Sequence, residues 1–151
     1  MPSPDALRRA GGHSLLDALI VLCLLAVLLS AAIPDLARAQ RRFAASAAAR
    51  QLRADLAHVR MIAVLRGRTV TVAIDTVAGS YRAAEADGTT ELVRRVPASV
   101  RIRTTAHRQS IPFTARGTTD LHSTTWIGPA DDPDGRWHGI RVAPSGSLAR
   151  Q

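Results

Sequence analysis

The chain has 151 residues and a formal net charge of +8, and all 20 of its basic side chains are arginines. An arginine-only composition arises from a GC-rich genome as readily as from a selected surface, so the charge alone does not indicate nucleic-acid binding. The single cysteine, Cys23, excludes a disulfide framework within the chain. Beyond its apolar N-terminal segment, the remaining roughly 110 residues suffice for one compact domain.

The apolar segment has the length of a membrane span. Residues 15–33 make 19 positions, and a helix rising about 1.5 Å per residue covers about 28 Å, close to the thickness of the hydrocarbon layer. Arg8 and Arg9 precede it, which favours a cytoplasmic N-terminus. In a secretory signal peptide the small-residue site would follow the apolar stretch, whereas here Gly12 precedes it, so we expect the segment to be retained.

Asp17 is a carboxylate two residues inside this segment, and only uncharged residues follow it up to Ile33. A charge at membrane depth is costly, so it indicates a function unless the side chain reaches water near the headgroups. Position alone leaves both interpretations open.

Beyond Pro34 the pattern changes from apolar on all faces to amphipathic. Apolar residues recur at helical spacing with arginines between them, which predicts a helix that packs one face on the rest of the domain. Proline lacks a backbone donor, so Pro34 is expected to bend this long helix rather than end it. The residues of the apolar stripe are Leu52, Leu56, Val59 and Ala63.

After the helix the sequence has β character. Gly67 is the expected helix stop, as a left-handed cap. Alternation of apolar and polar residues, interrupted by turns rich in Gly, Ser and Asp, predicts six strands. They cover residues 69–75, 81–84, 92–96, 100–104, 119–127 and 139–142. The predicted fold class is α+β, with a long N-terminal helix packed on an antiparallel β-sheet.

Three motifs along the chain belong together. A short basic leader ends at Gly12 and is followed by the apolar helix with its acid at Asp17. Residues 111–117 hold an apolar residue, a phenylalanine and a glycine, and residues 142–146 read Val-Ala-Pro-Ser-Gly. With the helix-to-strand junction at residues 63–70, they resemble the type IV pilin-like proteins. The similar branch holds the H-type minor pseudopilins of type II secretion and the FimT-like minor pilins.

The resemblance implies roles for four residues. In that family a prepilin peptidase cuts after the glycine that corresponds to Gly12 and methylates the new N-terminal residue, here His13. Asp17 becomes the fifth residue of the mature chain, where it can pair with the N-terminal amine of its own or an adjacent subunit. Pro34 matches a helix-kinking proline. The family usually has phenylalanine and glutamate where this chain has His13 and Asp17.

The resemblance also implies an organisation in four segments. These are a leader peptide at 1–12, a transmembrane helix at 13–34, an amphipathic continuation at 35–67 and a periplasmic β domain at 68–151. The expected location is the bacterial inner membrane, with a single pass, a cytoplasmic N-terminus and a periplasmic C-terminal domain that is later extracted into the filament.

The implied function is that of a minor pseudopilin, a structural subunit at the tip of the periplasmic pseudopilus that drives export of folded proteins across the outer membrane. Its expected partners are other minor and major pseudopilins, the prepilin peptidase and the inner membrane. No enzymatic motif or cofactor site is predicted. No metal site is predicted either, because the five histidines show no ligand spacing and residues 131–135 are interpreted as a solvated turn rather than a calcium loop.

The alternative is a FimT-like minor type IV pilin that acts in pilus biogenesis or in DNA binding and uptake. Arg101 and Arg103 share one face of a predicted strand, and Arg150 lies in the C-terminal tail, where the DNA-binding form has two arginines. Such a patch holds a phosphate backbone but reads little sequence. The other interpretation of these arginines is a solvated face that pairs with acidic neighbours in a filament.

Overall fold

The computed structural model describes residues 15–120, 122–131 and 136–150, so Gly12 and His13 lie outside the described residues. The chain divides between residues 38 and 39 into two compact units. One long helix precedes all the strands. The helix is α1 (Leu15–Arg66), and the strands are β1 (Val70–Asp75), β2 (Ser80–Glu85), β3 (Thr90–Arg95), β4 (Val100–Thr104), β5 (Ser110–Phe113), β6 (Ser123–Pro129), β7 (His138–Val142) and β8 (Leu148–Arg150).

In the first unit, α1 carries apolar side chains on every face. The large apolar side chains described between residues 15 and 33 are all at least 48% exposed. Within the described part of the chain, α1 is the one helix long and apolar enough to cross a membrane. The helix continues through Pro34, so the proline does not end it, as predicted, and the bend stays a prediction. Side chains exposed in this way need lipid or a protein partner around them.

In the second unit, α1 buries one face and ends where the sequence predicts. The amide of Gly67, whose φ is 62°, donates to the Val64 carbonyl at 3.2 Å, and the amide of Arg68 donates to the Ala63 carbonyl at 3.1 Å. This pair of bonds closes the helix as a Schellman motif, which confirms the predicted cap. The predicted apolar stripe is also confirmed, since its members are at most 1% exposed: Leu52, Leu56, Val59 and Ala63.

The strands form two antiparallel sheets rather than the single predicted sheet. The first has the order β3-β2-β1-β5 and the second the order β4-β6-β7-β8. All six predicted strands are present, although β6 begins at Ser123 rather than at residue 119. The edge strands β5 and β8 were not predicted, because β5 has only four residues and contains Pro112, and β8 has three residues directly after a Pro-Ser-Gly turn.

One hydrophobic core joins α1 to both sheets. Aliphatic side chains supply most of it, and each fully buried one contributes about 1.5–3 kcal/mol through the hydrophobic effect. Phe113 of β5 is its largest fully buried side chain. The core therefore packs both sheets on one helix.

Candidate functional site

Asp17 lies in the first turn of α1 with an exposed side chain. An acid at this position interacts favourably with the positive end of the helix dipole. Further along the same unit, Asp35 accepts a hydrogen bond from Arg38 Nη1 at 3.0 Å, so it already has a partner within its own helix. The pairing of Asp17 with an N-terminal amine stays a prediction, because the residue that would carry the amine lies outside the described residues.

The two glycine motifs of the sequence meet in space. Gly117 and Gly146 both have a positive φ, 72° and 73°, and an ideal Cβ built on Gly146 would lie 1.8 Å from the Gly117 carbonyl oxygen. The loops are also joined by a hydrogen bond from the Thr119 amide to the Pro144 carbonyl at 3.0 Å. The two glycine motifs that contribute to the family resemblance therefore contact each other in the folded domain.

Arg60 of α1 holds both loops. Its Nε donates to the Gly117 carbonyl at 2.9 Å, and its Nη2 donates to the Ser145 carbonyl at 3.4 Å. Arg60 is half-buried although it sits between the apolar positions of the helix, where the pattern predicts a solvated arginine. Loop carbonyls that point at a helix need a donor, and this long side chain supplies two.

A second charged cluster attaches the end of α1 to the hairpin of β2 and β3. The buried Glu85 carboxylate accepts from Arg66 Nη1 at 2.7 Å and from Arg68 Nη1 at 3.3 Å, and Arg66 also donates to Glu91. The hydrogen bonds that Arg66 makes to Glu85 and Glu91 raise the pKa of the Arg66 guanidinium above the usual value for arginine. Hydrogen bonds from Thr89 lower the pKa of Asp87 in the adjoining turn.

Asp55 is a buried carboxylate within the apolar stripe of α1. It accepts hydrogen bonds from the Tyr81 hydroxyl at 2.7 Å and from Gln51 Nε2 at 2.9 Å, and Arg94 Nε lies 3.6 Å from it. These contacts satisfy a charge that would otherwise be costly to bury. They join α1 to β2 and β3, and so they have a structural role.

We expect Tyr81 to resist ionisation as long as the domain is folded. Burial, and then its hydrogen bond to Asp55, raise the pKa of Tyr81 above its usual value of about 10. A raised folded-state pKa gives stability that is present below pH of about 10 and is lost at higher pH. Because Tyr81 is the only tyrosine, its phenolate absorbance reports this site alone. The absorbance should rise only above pH of about 10, together with the loss of circular dichroism.

The Asp55→Asn variant provides the control for this titration. It removes the negative charge and keeps the burial, so the pKa of Tyr81 should fall toward that of a free tyrosine without reaching it. In the wild-type chain, a Tyr81 phenolate that forms near pH 10 while the circular dichroism spectrum is unchanged would contradict the buried hydrogen bond.

Arg101 and Arg103 lie on the outer face of the second sheet, which confirms that they share a face. Both are exposed, and the residues that flank Arg101 are buried. The Arg103 guanidinium lies 4.4 Å from the centroid of the Trp137 ring, a cation–π distance. Gly128, the register partner of Arg101, makes room for this ring, since a Cβ there would lie 2.5 Å from it. Trp126 is the register partner of Arg103 on this outer face.

Arg150 lies on the other face of the same sheet. Its register partner is Ile140, which is 2% exposed and belongs to the core, so β8 directs Arg150 toward the inner side. There it lines a pocket beside α1. The structure therefore brings Arg101 and Arg103 together and separates Arg150 from them.

Across residues 15–120, 122–131 and 136–150, no group of three or more His, Cys, Asp or Glu side chains is placed to hold a metal ion. Of the predicted solvated turn at residues 131–135, only Asp131 is described, and its Oδ2 lies 3.4 Å from Arg41 Nη1 of α1. The interpretation of that turn stays a prediction.

Three residues that organise the domain were not predicted from the sequence, namely Arg60, Asp55 and Tyr81. The sequence did contain a clue to Asp55, because this acid interrupts an otherwise apolar stripe and needs a partner there. A lone tyrosine in a chain with 3% aromatic residues is a reasonable candidate for that partner. No local sequence pattern indicates the role of Arg60, since its carbonyl partners lie 57 and 85 positions away.

The comparisons with known proteins agree with this architecture. The minor pseudopilin EpsH from the type 2 secretion system of Vibrio cholerae is similar over 71% of this chain and 95% of its own, with 16% identity and a TM-score of 0.59. The type IV minor pilin FimU of Pseudomonas aeruginosa is similar over 73% of this chain and 90% of its own, with 19% identity and a TM-score of 0.62. These similarities confirm the pilin-like α+β fold.

A search of curated protein sequences gave no match. The family model described as type II transport protein GspH matches residues 48–146, which include the buried stripe of α1, strands β1 to β7 and both glycine motifs. Members of this family are structural pseudopilins rather than enzymes. By that match the chain belongs to the GspH family of type II transport proteins.

Proposed function

We propose that this protein is a minor pseudopilin at the tip of a periplasmic pseudopilus that exports folded proteins across the outer membrane. The observation that carries the proposal is the change in burial along α1. Its first part exposes apolar side chains on every face, and its second part buries one face under two sheets. A helix of this kind serves first as an anchor and then as the packing element of a filament.

The membrane topology and the processing belong to the same proposal. The apolar part of α1 spans the bacterial inner membrane once, with the N-terminus in the cytoplasm and residues 39–151 in the periplasm. A prepilin peptidase cuts after Gly12 and methylates His13. Asp17 then pairs with an N-terminal amine as subunits leave the membrane, and Pro34 bends the helix. Other minor and major pseudopilins are the partners.

A clean deletion of the gene tests the function. We expect release of extracellular enzymes to fall, while natural transformation and twitching motility stay at the level of the parent strain. Expression of the full chain in trans should restore release. Intact release after deletion would contradict a role in secretion. A loss confined to transformation or twitching would indicate that the protein acts in a pilus.

The second candidate is a minor type IV pilin for pilus biogenesis or DNA uptake. The outer face favours it, because Arg101 and Arg103 are exposed side by side next to the Trp137 ring. Cations and an aromatic ring together suit a nucleic-acid backbone and its bases. The similarity to the minor pilin FimU is in keeping with this candidate.

DNA binding by residues 39–151 discriminates the two candidates. In the pilin case, duplex DNA binds at low salt, and Arg101→Ala with Arg103→Ala weakens binding and lowers the slope of log K against log salt by about 2. Arg82→Ala with Arg95→Ala, two exposed arginines of the first sheet, is the matched control and should change little. Absence of binding at low salt, measured by fluorescence anisotropy, would remove the second candidate.

A further inference from the structure

A pocket of about 170 Å³ lies between α1 and the end of the second sheet. Its polar lining comes from two elements that are far apart in the sequence. The helix contributes Ser46, Arg50 and Arg53, and β7 and β8 contribute His138 and Arg150. We call it the arginine pocket. It lies on the inner side of the sheet, opposite the outer face that carries Arg101 and Arg103.

Within the part of the chain that the structure describes, the arginine pocket holds positive charge without a matching acid in its lining. Among the described residues, none of Arg50, Arg53 and Arg150 has a carboxylate within 4.0 Å, and Arg50 Nη1 donates to the Ser46 hydroxyl at 3.4 Å. Three other arginines of α1 do have a carboxylate within 4.0 Å, namely Arg38, Arg41 and Arg66. Three guanidinium groups around one small cavity form a site of positive potential that attracts an anion.

The half-buried His138 responds to the same potential. Burial, and then the positive charges of Arg150, Arg50 and Arg136, lower the pKa of its imidazole. The imidazole therefore stays neutral near pH 7, where it can donate one hydrogen bond to an anion and add no further repulsion.

The size and the lining of the pocket favour a carboxylate. A volume of about 170 Å³ corresponds to five or six waters, which is enough for one acidic side chain. Guanidinium groups bind carboxylates through paired hydrogen bonds. A nucleic-acid strand instead needs a row of cations with stacking platforms, and both tryptophans of the chain belong to the outer face.

We propose that the arginine pocket receives an acidic side chain of a neighbouring subunit when the protein enters a filament. The inference rests on the proposed function and names the contact that the periplasmic domain uses. Seating that side chain places a partner against α1 and the free edge of β8, which sets the position of this subunit within the filament.

The test uses the full chain in cells. A photo-crosslinking amino acid replaces Ser46 at the pocket wall, and mass spectrometry identifies the linked peptide. In parallel, Arg53→Gln with Arg150→Gln neutralises the pocket, and Arg101→Gln with Arg103→Gln is the control with equal charge change on the outer face. We expect the crosslink to reach an acidic segment of another pilin-like subunit. Enzyme release should fall about tenfold or more in the pocket variant alone, at equal membrane abundance.

The outcomes separate this inference from the proposed function. A crosslink to nucleic acid, no crosslink, or normal release by the pocket variant would each overturn the arginine pocket as a docking site while the secretion role stands. Loss of the secretion role itself would be seen in the gene deletion. Arg53→Glu, combined with an arginine in place of the crosslinked acid on the partner, should restore release if the two groups are in contact.

Discussion

Gly146→Ala is expected to prevent the periplasmic domain from folding. The added methyl group would lie 1.8 Å from the Gly117 carbonyl oxygen and 2.9 Å from Arg60 Nε, and real contacts of a Cβ are essentially never shorter than 3.0 Å. The first of these atoms is backbone and cannot rotate away. The two loops would have to separate, which breaks the hydrogen bonds of Arg60 to both of them.

The expected loss is at least about 4 kcal/mol, which is among the largest effects of single substitutions and is comparable with the whole stability of a small domain. Urea unfolding of residues 39–151 measures it, because these residues contain every buried side chain of the core. We expect Gly146→Ala to show no cooperative transition, or one with a greatly reduced midpoint.

Gly88→Ala is the matched control for this substitution. Gly88 also has a positive φ, 87°, but no atom of the described residues lies within 4 Å of a Cβ built there. The control therefore carries only the backbone strain of about 1–2 kcal/mol. Equal stability of the two variants would mean that the glycine contact is not tight in solution, and that the two motifs are linked in some other way.

The parts of the fold that the sequence predicts are those set by neighbours along the chain. The apolar stripe of α1 follows from a period of 3.6 residues, and the stop at Gly67 follows from the conformational freedom of glycine. The alternation in β4 placed Arg101 and Arg103 on one face. These features depend on residues within about one or two helical turns, and the structure confirms them.

The parts that the sequence does not predict depend on pairing between distant segments. The division into two sheets follows from β5 joining β1 rather than β4, which no local pattern encodes. The face that Arg150 occupies is set by its register with Ile140, and a shift of one residue would reverse it. The meeting of Gly117 and Gly146 is likewise visible only in the folded domain.

The placement of the arginines also separates two kinds of contact. Arg101 and Arg103 face outward beside tryptophan, whereas Arg150 belongs to a concave pocket against α1. A nucleic-acid strand and an acidic side chain of a partner would therefore bind opposite faces of one sheet. Variants of the two sites give independent results, because the sites share no residue.

Asp17→Ala is expected to abolish the assembly function while leaving the periplasmic domain folded. The side chain lies in the first turn of an apolar helix, and none of the core residues belongs to that part of the chain. As helices bundle, an N-terminal ammonium left without its carboxylate would be buried unpaired. Truncating one partner of such a pair costs about 2–5 kcal/mol, which corresponds to more than a tenfold loss of assembly.

Two further variants make this prediction specific to a carboxylate at position 17. Asp17→Glu keeps the charge and restores the residue usual in the family, so enzyme release should stay at or above the level of the wild-type chain. Asp35→Ala removes an acid from the same helix whose partner, Arg38, lies within that helix, and it should change release little. Release is compared with membrane abundance, so that loss of the protein is not mistaken for loss of assembly. Normal release by Asp17→Ala would exclude the pairing role and leave Asp17 as an acid near the headgroups.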